Sequence, residues 1–289
     1  MSLLKIIILA IVQGLAELLP VSSSAHVVVA EKLMGLDPSS PAMTLLLVML
    51  HTGTMFAVIV YFWPQWRHTY FQSGTAFKRI AGLVIVATVL TAVIGEVIIK
   101  IIERTAFRDV PHAEIEDLFS HLEFIAPALA AAGLLILIAG IFERRHPTRA
   151  LTGANDIRIK QAGVIGAVQG LCLPFRGFSR SGATISTAML LGVAKSRAEA
   201  FSFALAVVLT PPVVAREVMR LIRSGQANPA ANLTSVAGLS LFGAVIAFIA
   251  GLLALKWLSR WLEGGRWYLF GIYCLVAAAA VTALHRFGY

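Results

Sequence analysis

Two polar segments interrupt sequence that is otherwise apolar enough to lie in a membrane. The first, residues 13–26, carries an amide, a carboxylate, three consecutive hydroxyls and an imidazole. The second, residues 169–184, also begins with Gln-Gly-Leu, reaches a proline and continues into a Ser-rich turn with an arginine. Non-helical backbone survives at membrane depth only inside protein or along a water-filled cavity. The two segments therefore predict a polar pocket, and the rest of the chain is the scaffold that brings them together.

The composition indicates a membrane protein and argues against several soluble classes. Hydrophobic residues make up 58% and charged residues 13% of the 289 residues, whereas an ordinary soluble domain has about 25% charged residues. The net charge of +9 does not predict a nucleic-acid partner, because basic loops beside spans set topology and meet anionic lipid headgroups. Cys172 and Cys274 lie in apolar sequence without metal-type spacing, which argues against a disulfide framework or a structural zinc site.

Each half of the chain repeats one pattern, a broken helix pair followed by three apolar segments long enough to cross about 30 Å of hydrocarbon. In the first half the re-entrant pair covers about residues 1–36, and the predicted spans are 42–63, 80–102 and 124–142. In the second half the short segments are 161–174 and 183–195, and the predicted spans are 199–219, 235–257 and 266–286.

Because three is an odd number of crossings, the chain ends the first half on the other side of the membrane. The second half must therefore enter the membrane in the opposite orientation. The predicted fold class is therefore an all-α integral membrane protein with an inverted repeat. A single membrane domain would contain the first repeat in 1–145 and the second in 156–289. Eight or nine ordinary spans with chance Gln-Gly-Leu matches are the alternative.

Charge alternates between the connections and predicts the topology. The basic connections 64–79 and 143–160 are assigned to the cytoplasm, and the acidic connection 103–123 to the outside. The basic link 256–266 falls in the cytoplasm as this requires. Three arginines fall outside, against the rule, namely Arg216, Arg220 and Arg223.

The first polar segment contains candidate groups for proton and nucleophile chemistry. Gln13 and Glu17 are four residues apart and share one helix face, and a carboxylate at membrane depth is a functional candidate by default. The serines at 22–24 precede His26 at a spacing that a tight turn closes to a hydroxyl–imidazole hydrogen bond, a recipe for an activated nucleophile. The alternatives are an interfacial Glu17 solvated by headgroups and a serine that only caps a helix.

The second polar segment contains a candidate anion site. Arg180 lies between Ser179 and Ser181, close to Gly177, and guanidinium pairs bidentately with phosphate or carboxylate. A helix that begins near Ala183 and Thr184 would add its dipole, and Thr184 follows Arg180 by four residues. An arginine that snorkels to headgroups is the alternative, and Arg176 fits that alternative better. With the first segment, this inventory suits phosphoryl transfer from a lipid.

At these residues the chain resembles the undecaprenyl-pyrophosphate phosphatase family, the integral-membrane bacitracin-resistance type. The family motif Glu/Gln-x-x-x-Glu with Pro-Val-Ser-Ser-x-x-His corresponds to residues 13–26, and Pro-Gly-x-Ser-Arg-Ser-x-x-Thr to residues 176–184. The resemblance extends over nearly the whole chain, including residues 49–53, Met-Leu-His-Thr-Gly. One departure is Arg176, which stands where the second motif has its proline.

The resemblance implies hydrolysis of the C55 isoprenyl pyrophosphate, which recycles the carrier lipid of cell-wall synthesis. Ser23 would be the nucleophile, with Glu17 or His26 moving protons. The pyrophosphate would be held by the residues that match the second motif, Gly177, Ser179, Arg180, Ser181 and Thr184. Gln13 would orient the phosphate or a divalent cation, Mg²⁺ or Ca²⁺, although no metal site is assigned. The family also implies the bacterial inner membrane, with a site open to the outer face.

Two other functions use the same residues differently. A transporter or flippase for the lipid phosphate would bind its cargo through Glu17 and Arg180 without chemistry, since inverted repeats with broken helices occur in transporters. An intramembrane serine hydrolase would need Ser23 and His26 but has less use for an arginine-centred anion site. The expected partners are the polyprenyl pyrophosphate and membrane lipids, and a homodimer is compatible with the sequence.

Overall fold

A computed structural model of the chain describes residues 2–36, 40–106, 122–145, 156–223 and 233–287, and these residues form helices joined by turns, with no strand among them. The helices of the first half are α1 Leu3–Leu18, α2 Ser23–Leu33, α3 Pro41–Thr69, α4 Gly74–Ala106 and α5 Leu122–Arg145. Those of the second half are α6 Ile159–Cys172, α7 Arg180–Leu190, α8 Lys195–Arg223, α9 Leu233–Glu263 and α10 Trp267–Arg286.

Among the described residues, six helices are long and apolar enough to cross a membrane: α3, α4, α5, α8, α9 and α10. They coincide with the six spans that the apolar segments predict, so the chain is a multi-pass membrane protein. Most of the acidic connection lies outside the described residues, as do the residues 146–155 of the second basic one.

The spans are longer than their apolar segments, so two predicted connections are shorter than expected. The basic connection 64–79 is mostly helical, because α3 continues to Thr69 and α4 begins at Gly74. The link 256–266 is helical as far as Glu263. Backbone hydrogen bonds do not require apolar side chains, so a helix continues into the charged layer beyond the hydrocarbon.

The short helices α1, α2, α6 and α7 contain 16, 11, 14 and 11 residues. At 1.5 Å rise per residue the longest reaches about 24 Å, less than the hydrocarbon thickness of about 30 Å. The first pair breaks at Leu19, which is extended with ψ 151, because the following Pro20 disfavours helical backbone before it. The prediction of two broken pairs is therefore consistent with the helix lengths.

The halves pack reciprocally. Helix α1 of the first half packs against α9 of the second, and α6 of the second half packs against α4 of the first. Helices α5 and α10 pack on each other, as do α3 and α8. Each short helix pair is therefore enclosed partly by spans of the other half, which brings residues distant in sequence to one site.

Candidate active site

The two polar turns contact each other directly. The backbone N–H of Gly177 donates to Ser24 Oγ at 3.3 Å. The hydroxyl of Ser181 donates to the carbonyl oxygen of Leu19, also at 3.3 Å. These bonds join residues about 150 positions apart in sequence, so the meeting of the two segments depends on the packing of the halves.

Both turns contain a residue with positive φ. Ser22 adopts φ 68, the one non-glycine residue with positive φ in the described chain, and such residues concentrate at sites where the surrounding structure holds the strain. Gly177 adopts φ 103, and a Cβ there would collide with the carbonyl oxygen of Ile125 on α5. Glycine is therefore required at this position both for its backbone conformation and for its lack of a side chain.

Each turn ends in a helix capped by a serine of the motif. Ser22 Oγ accepts from the N–H of Ala25 at the start of α2, and Ser179 Oγ accepts from the N–H of Gly182 at the start of α7. Helix α7 begins at Arg180 itself, three residues earlier than predicted, because the Ser179 cap satisfies a free N–H of the first turn. The arginine thus stands at the positive end of the helix dipole, which favours anions there.

The Glu17 carboxylate accepts hydrogen bonds from both polar segments. Its Oε1 accepts from Arg180 Nη2 at 2.9 Å, and its Oε2 accepts from the Ser23 hydroxyl at 2.6 Å. Gln13 Nε2 also donates to Oε2, at 3.1 Å, and His51 Nε2 lies 3.6 Å from it. A carboxylate withdrawn from water needs a charge partner and hydrogen bonds, and this one has both.

Ser23 and Arg180 line one cavity of about 230 Å³ between the turns. The polar part of its wall consists of Glu17, Ser22, Ser23, Ser24, Arg176, Ser179, Arg180 and Ser181. A guanidinium has five N–H donors, so Arg180 can hold Glu17 and still present donors to an anion in the cavity. The wall therefore combines a hydroxyl, a carboxylate that accepts its proton and a fixed cation.

Three residues predicted to contact phosphate do not line this cavity. Thr184 is fully buried, with its hydroxyl bonded to Ser202 at 2.6 Å and to the Arg180 carbonyl at 2.9 Å. Gln13 is buried and donates to Glu17, and Gly177 contributes its N–H to Ser24. In the structure these three residues form hydrogen bonds with residues that line the cavity, namely Arg180, Glu17 and Ser24.

His26 does not make the hydroxyl contact that the Ser-x-x-His spacing predicts. Its Nδ1 lies 2.7 Å from the carbonyl oxygen of Ser22, and its Nε2 lies 2.8 Å from the hydroxyl of Tyr273 on α10, whose ring stacks on the imidazole. Both ring nitrogens are therefore engaged away from Ser23, because the first turn of α2 directs the imidazole outward. The group that accepts the hydrogen bond from Ser23 is the Glu17 carboxylate.

The sequence reasoning did not assign a role to His51 and Tyr273. His51 lies in α3, where its Nδ1 donates to the Leu47 carbonyl at 2.9 Å, and this bond orients the ring with Nε2 toward Glu17. A histidine within an apolar span, in a stretch that already matched the family, was the available signal. Nothing in the sequence pairs Tyr273 with His26, because the contact depends on where α10 packs.

The residues at the cavity offer few ligands to a divalent cation. Among the described residues no group of three or more His, Cys, Asp or Glu side chains could hold a metal ion. Both oxygens of Glu17 already accept hydrogen bonds, one of them from a guanidinium. Mg²⁺ and Ca²⁺ require several oxygen ligands, so these residues do not fit a cation bound by the protein alone.

The comparisons with known proteins cover the whole chain. Residues 6–280 match the family model of bacitracin resistance protein BacA. The chain is 56% identical over 287 residues to undecaprenyl-diphosphatase 2 of Acinetobacter baylyi, covering 98% of both chains. It is 31% identical over 301 residues to undecaprenyl-diphosphatase of Korarchaeum cryptofilum, covering 98% of this chain and 100% of the relative. It is 29% identical over 284 residues to undecaprenyl-diphosphatase of Rhodopirellula baltica, covering 98% of both chains.

Proposed function

The chain belongs to the bacitracin resistance protein BacA family, and on this basis we propose how its two polar turns carry out lipid pyrophosphate hydrolysis. The protein is an undecaprenyl-diphosphate phosphatase, which converts undecaprenyl pyrophosphate to undecaprenyl phosphate and inorganic phosphate. The observation that carries the mechanism is the contact of both Ser23 and Arg180 with Glu17 at one cavity.

In the proposed mechanism Arg180 binds the terminal phosphate, supported by Ser179, Ser181 and the dipole of α7. Ser23 Oγ attacks the terminal phosphorus as its proton passes to Glu17, 2.6 Å away. The Oγ–P bond forms, the bridging P–O bond breaks, and undecaprenyl phosphate leaves with the proton from Glu17. Water then attacks the phosphoserine and gives a proton to Glu17, which returns it to the Ser23 oxygen as inorganic phosphate departs.

The other predicted site residues have supporting roles in this proposal. Gln13 holds Glu17 in the orientation that accepts the proton. His26 supports the turn through the Ser22 carbonyl instead of moving protons, which is a narrower role than the sequence suggests. Thr184 and Gly177 keep the second turn in place. A divalent cation, if the reaction uses one, would enter with the pyrophosphate, which supplies the oxygen ligands that the protein lacks.

The test is release of phosphate from a polyprenyl pyrophosphate by the full chain in detergent. Arg180→Ala removes the anion clamp and is expected to lower the rate by at least about 10³-fold, in keeping with the loss of a fixed charge at a developing charge. The matched control is Arg67→Ala, which removes an exposed guanidinium from the end of α3 and should leave the rate unchanged. Turnover by Arg180→Ala at the wild-type rate would overturn the site assignment.

We also propose that the halves form an inverted repeat of residues 1–145 and 156–289, with two re-entrant pairs. The reciprocal packing of α1 on α9 and of α6 on α4 supports it, because a two-fold axis in the membrane plane exchanges these pairs. The basic connections then lie in the bacterial cytoplasm, and the site opens to the outer face of the inner membrane. A homodimer is not required, since the residues of the mechanism come from one chain.

The same architecture supports lipid movement as a second candidate function. Inverted repeats with broken helices that meet at mid-membrane occur in transporters, and Glu17 and Arg180 would bind the lipid phosphate in both cases. Vesicles containing the Ser23→Ala variant distinguish the two functions. Lipid transfer between leaflets without phosphate release would add transport, and no transfer would leave hydrolysis alone.

A further inference from the structure

A second cavity lies at the end of α9 and shares no lining residue with the candidate active site. It is a groove of about 580 Å³ formed by the last turns of α9 and the connection to α10, a volume typical of small-molecule sites. Its lining includes three cations, Lys256, Arg260 and Arg266, and two tryptophans, Trp257 and Trp261. All three cations are exposed.

The cations of the groove have no carboxylate partner. None of Lys256, Arg260 and Arg266 forms an ion pair with a described carboxylate. The nearest acid in sequence, Glu263, does not line the groove. Since no acid lines the groove, its positive charge is not neutralised by the protein.

An apolar stripe on α9 leads directly into the groove. Residues four positions apart are exposed by about half or more until the groove is reached, namely Leu241 57%, Val245 51%, Ile249 52%, Leu253 62% and Trp257 43%. Residues at this spacing lie on one helix face, and in a spanning helix such a face contacts acyl chains. Tryptophan is typical of the boundary between acyl chains and headgroups, and the rings of Trp257 and Trp261 meet edge to face at 5.1 Å.

We propose that this groove binds the headgroup of an acidic phospholipid, whose acyl chains lie along the α9 stripe. The positive charge of the groove favours an anionic occupant. Three cations without a carboxylate partner, beside a lipid-facing stripe, complement the phosphodiester of a membrane lipid. Scattered basic loops serve topology in general, but here the cations, the aromatic rings and the apolar stripe converge on one concave site. This site is separate from the phosphatase residues and does not depend on the proposed mechanism.

Native mass spectrometry of the full chain, titrated with phosphatidylglycerol or phosphatidylcholine of identical acyl chains, tests the proposal. One phosphatidylglycerol should bind at least about tenfold more tightly than phosphatidylcholine, since each Lys or Arg near an anionic lipid contributes about fivefold. The triple variant Lys256→Gln, Arg260→Gln, Arg266→Gln should bind both lipids alike. If it does not fold, as judged by thermal unfolding, Arg266→Gln alone should lose at least about threefold of the preference.

The control triple variant Arg67→Gln, Lys78→Gln, Lys160→Gln makes the same change in net charge at exposed cations outside the groove. It should keep the phosphatidylglycerol preference within about twofold. Equal loss in both triples would assign the preference to the general surface charge and overturn the proposal. A wild-type chain that binds both lipids equally would overturn it as well, whether or not phosphatase activity is present.

Discussion

At the scale of single residues, Glu17 connects the two halves of the site. It lies at the end of α1, yet it accepts hydrogen bonds from the turn that follows and from a guanidinium 163 positions later. Even a partly buried carboxylate without such partners would be costly in free energy. The same bonds that make its partial burial tolerable place it 2.6 Å from the Ser23 hydroxyl, the position that the proposed proton acceptor requires.

Glu17→Gln removes that acceptor while keeping the shape of the side chain. The amide cannot take the Ser23 proton, so we expect the rate of phosphate release to fall by about 10²–10⁴-fold, the usual contribution of a general base. Glu96→Gln, which changes an exposed carboxylate on α4, is the control and should leave the rate within about twofold. An unchanged rate in Glu17→Gln would remove this carboxylate from the mechanism.

His51 is expected to support Glu17 without taking part in bond formation. His51→Ala removes the ring whose Nε2 lies 3.6 Å from Oε2 and should lower the rate by about fivefold or less, because a partly exposed polar contact of this kind contributes up to about 1 kcal/mol. His51→Gln offers an amide donor in its place and should recover most of the loss. His68→Gln, an exposed histidine on the same helix, should have no effect. A larger loss in His51→Gln than in His51→Ala would contradict this role.

At the scale of helices, close backbone approach holds the broken pairs against the spans. A Cβ on Gly166 of α6 would collide with the carbonyl oxygen of Ala87 on α4, and the Thr91 hydroxyl donates to the Gly166 carbonyl at 2.9 Å. Gln169 on α6 in turn donates to Thr91 Oγ1 at 3.0 Å. Small residues and hydrogen bonds of this kind drive helix association in lipid, where burial of apolar area supplies little.

Gly166→Ala is therefore expected to destabilise the protein. The added methyl group forces α6 away from α4, and overpacking of this kind typically costs about 1–3 kcal/mol. Thermal unfolding in detergent measures it as a lower Tm. The matched control is Gly82→Ala on α4, where a Cβ meets no atom within 4 Å and alanine favours the helix by about 0.5–1 kcal/mol. A lower Tm in both variants would argue against the close contact as the cause.

At the scale of the whole molecule, the packing of the halves creates the site. The first half contributes Ser23 and Glu17, and the second contributes Arg180. Reciprocal contacts of α1 with α9 and of α6 with α4 bring them together, so neither half contains a complete site. The proposed topology adds a direction, because it places the basic connections in the cytoplasm and the acidic connection outside.

Cysteine substitutions at Gln72, just before α4, and at Lys100, in its last two turns, test that direction. In intact cells a membrane-impermeant maleimide should label Lys100→Cys from outside, whereas Gln72→Cys should be labelled only after the membrane is opened. Both positions are exposed, and the native Cys172 and Cys274 are buried, so background labelling should be low. Labelling of both variants from the same side would contradict the topology.

The sequence by itself determined the elements and the inventory of the site. Apolar segments of sufficient length predicted all six spans, and Pro20 with the serines that follow predicted the first break, because these signals act within a few residues. It also indicated Ser23, Glu17 and Arg180 as the residues of interest. It placed the helix ends less well, since a helix continues beyond its apolar segment without a local signal.

Only the tertiary structure decided which of these groups touch. The spacing of serine and imidazole predicted a Ser–His contact, but the turn directs Ser23 to Glu17 and His26 to Tyr273. His51 and Arg180 reach the same carboxylate from α3 and α7. The contacts between different helices join side chains that are 34 to 247 positions apart, and their distances depend on how the helices pack, which no local spacing encodes.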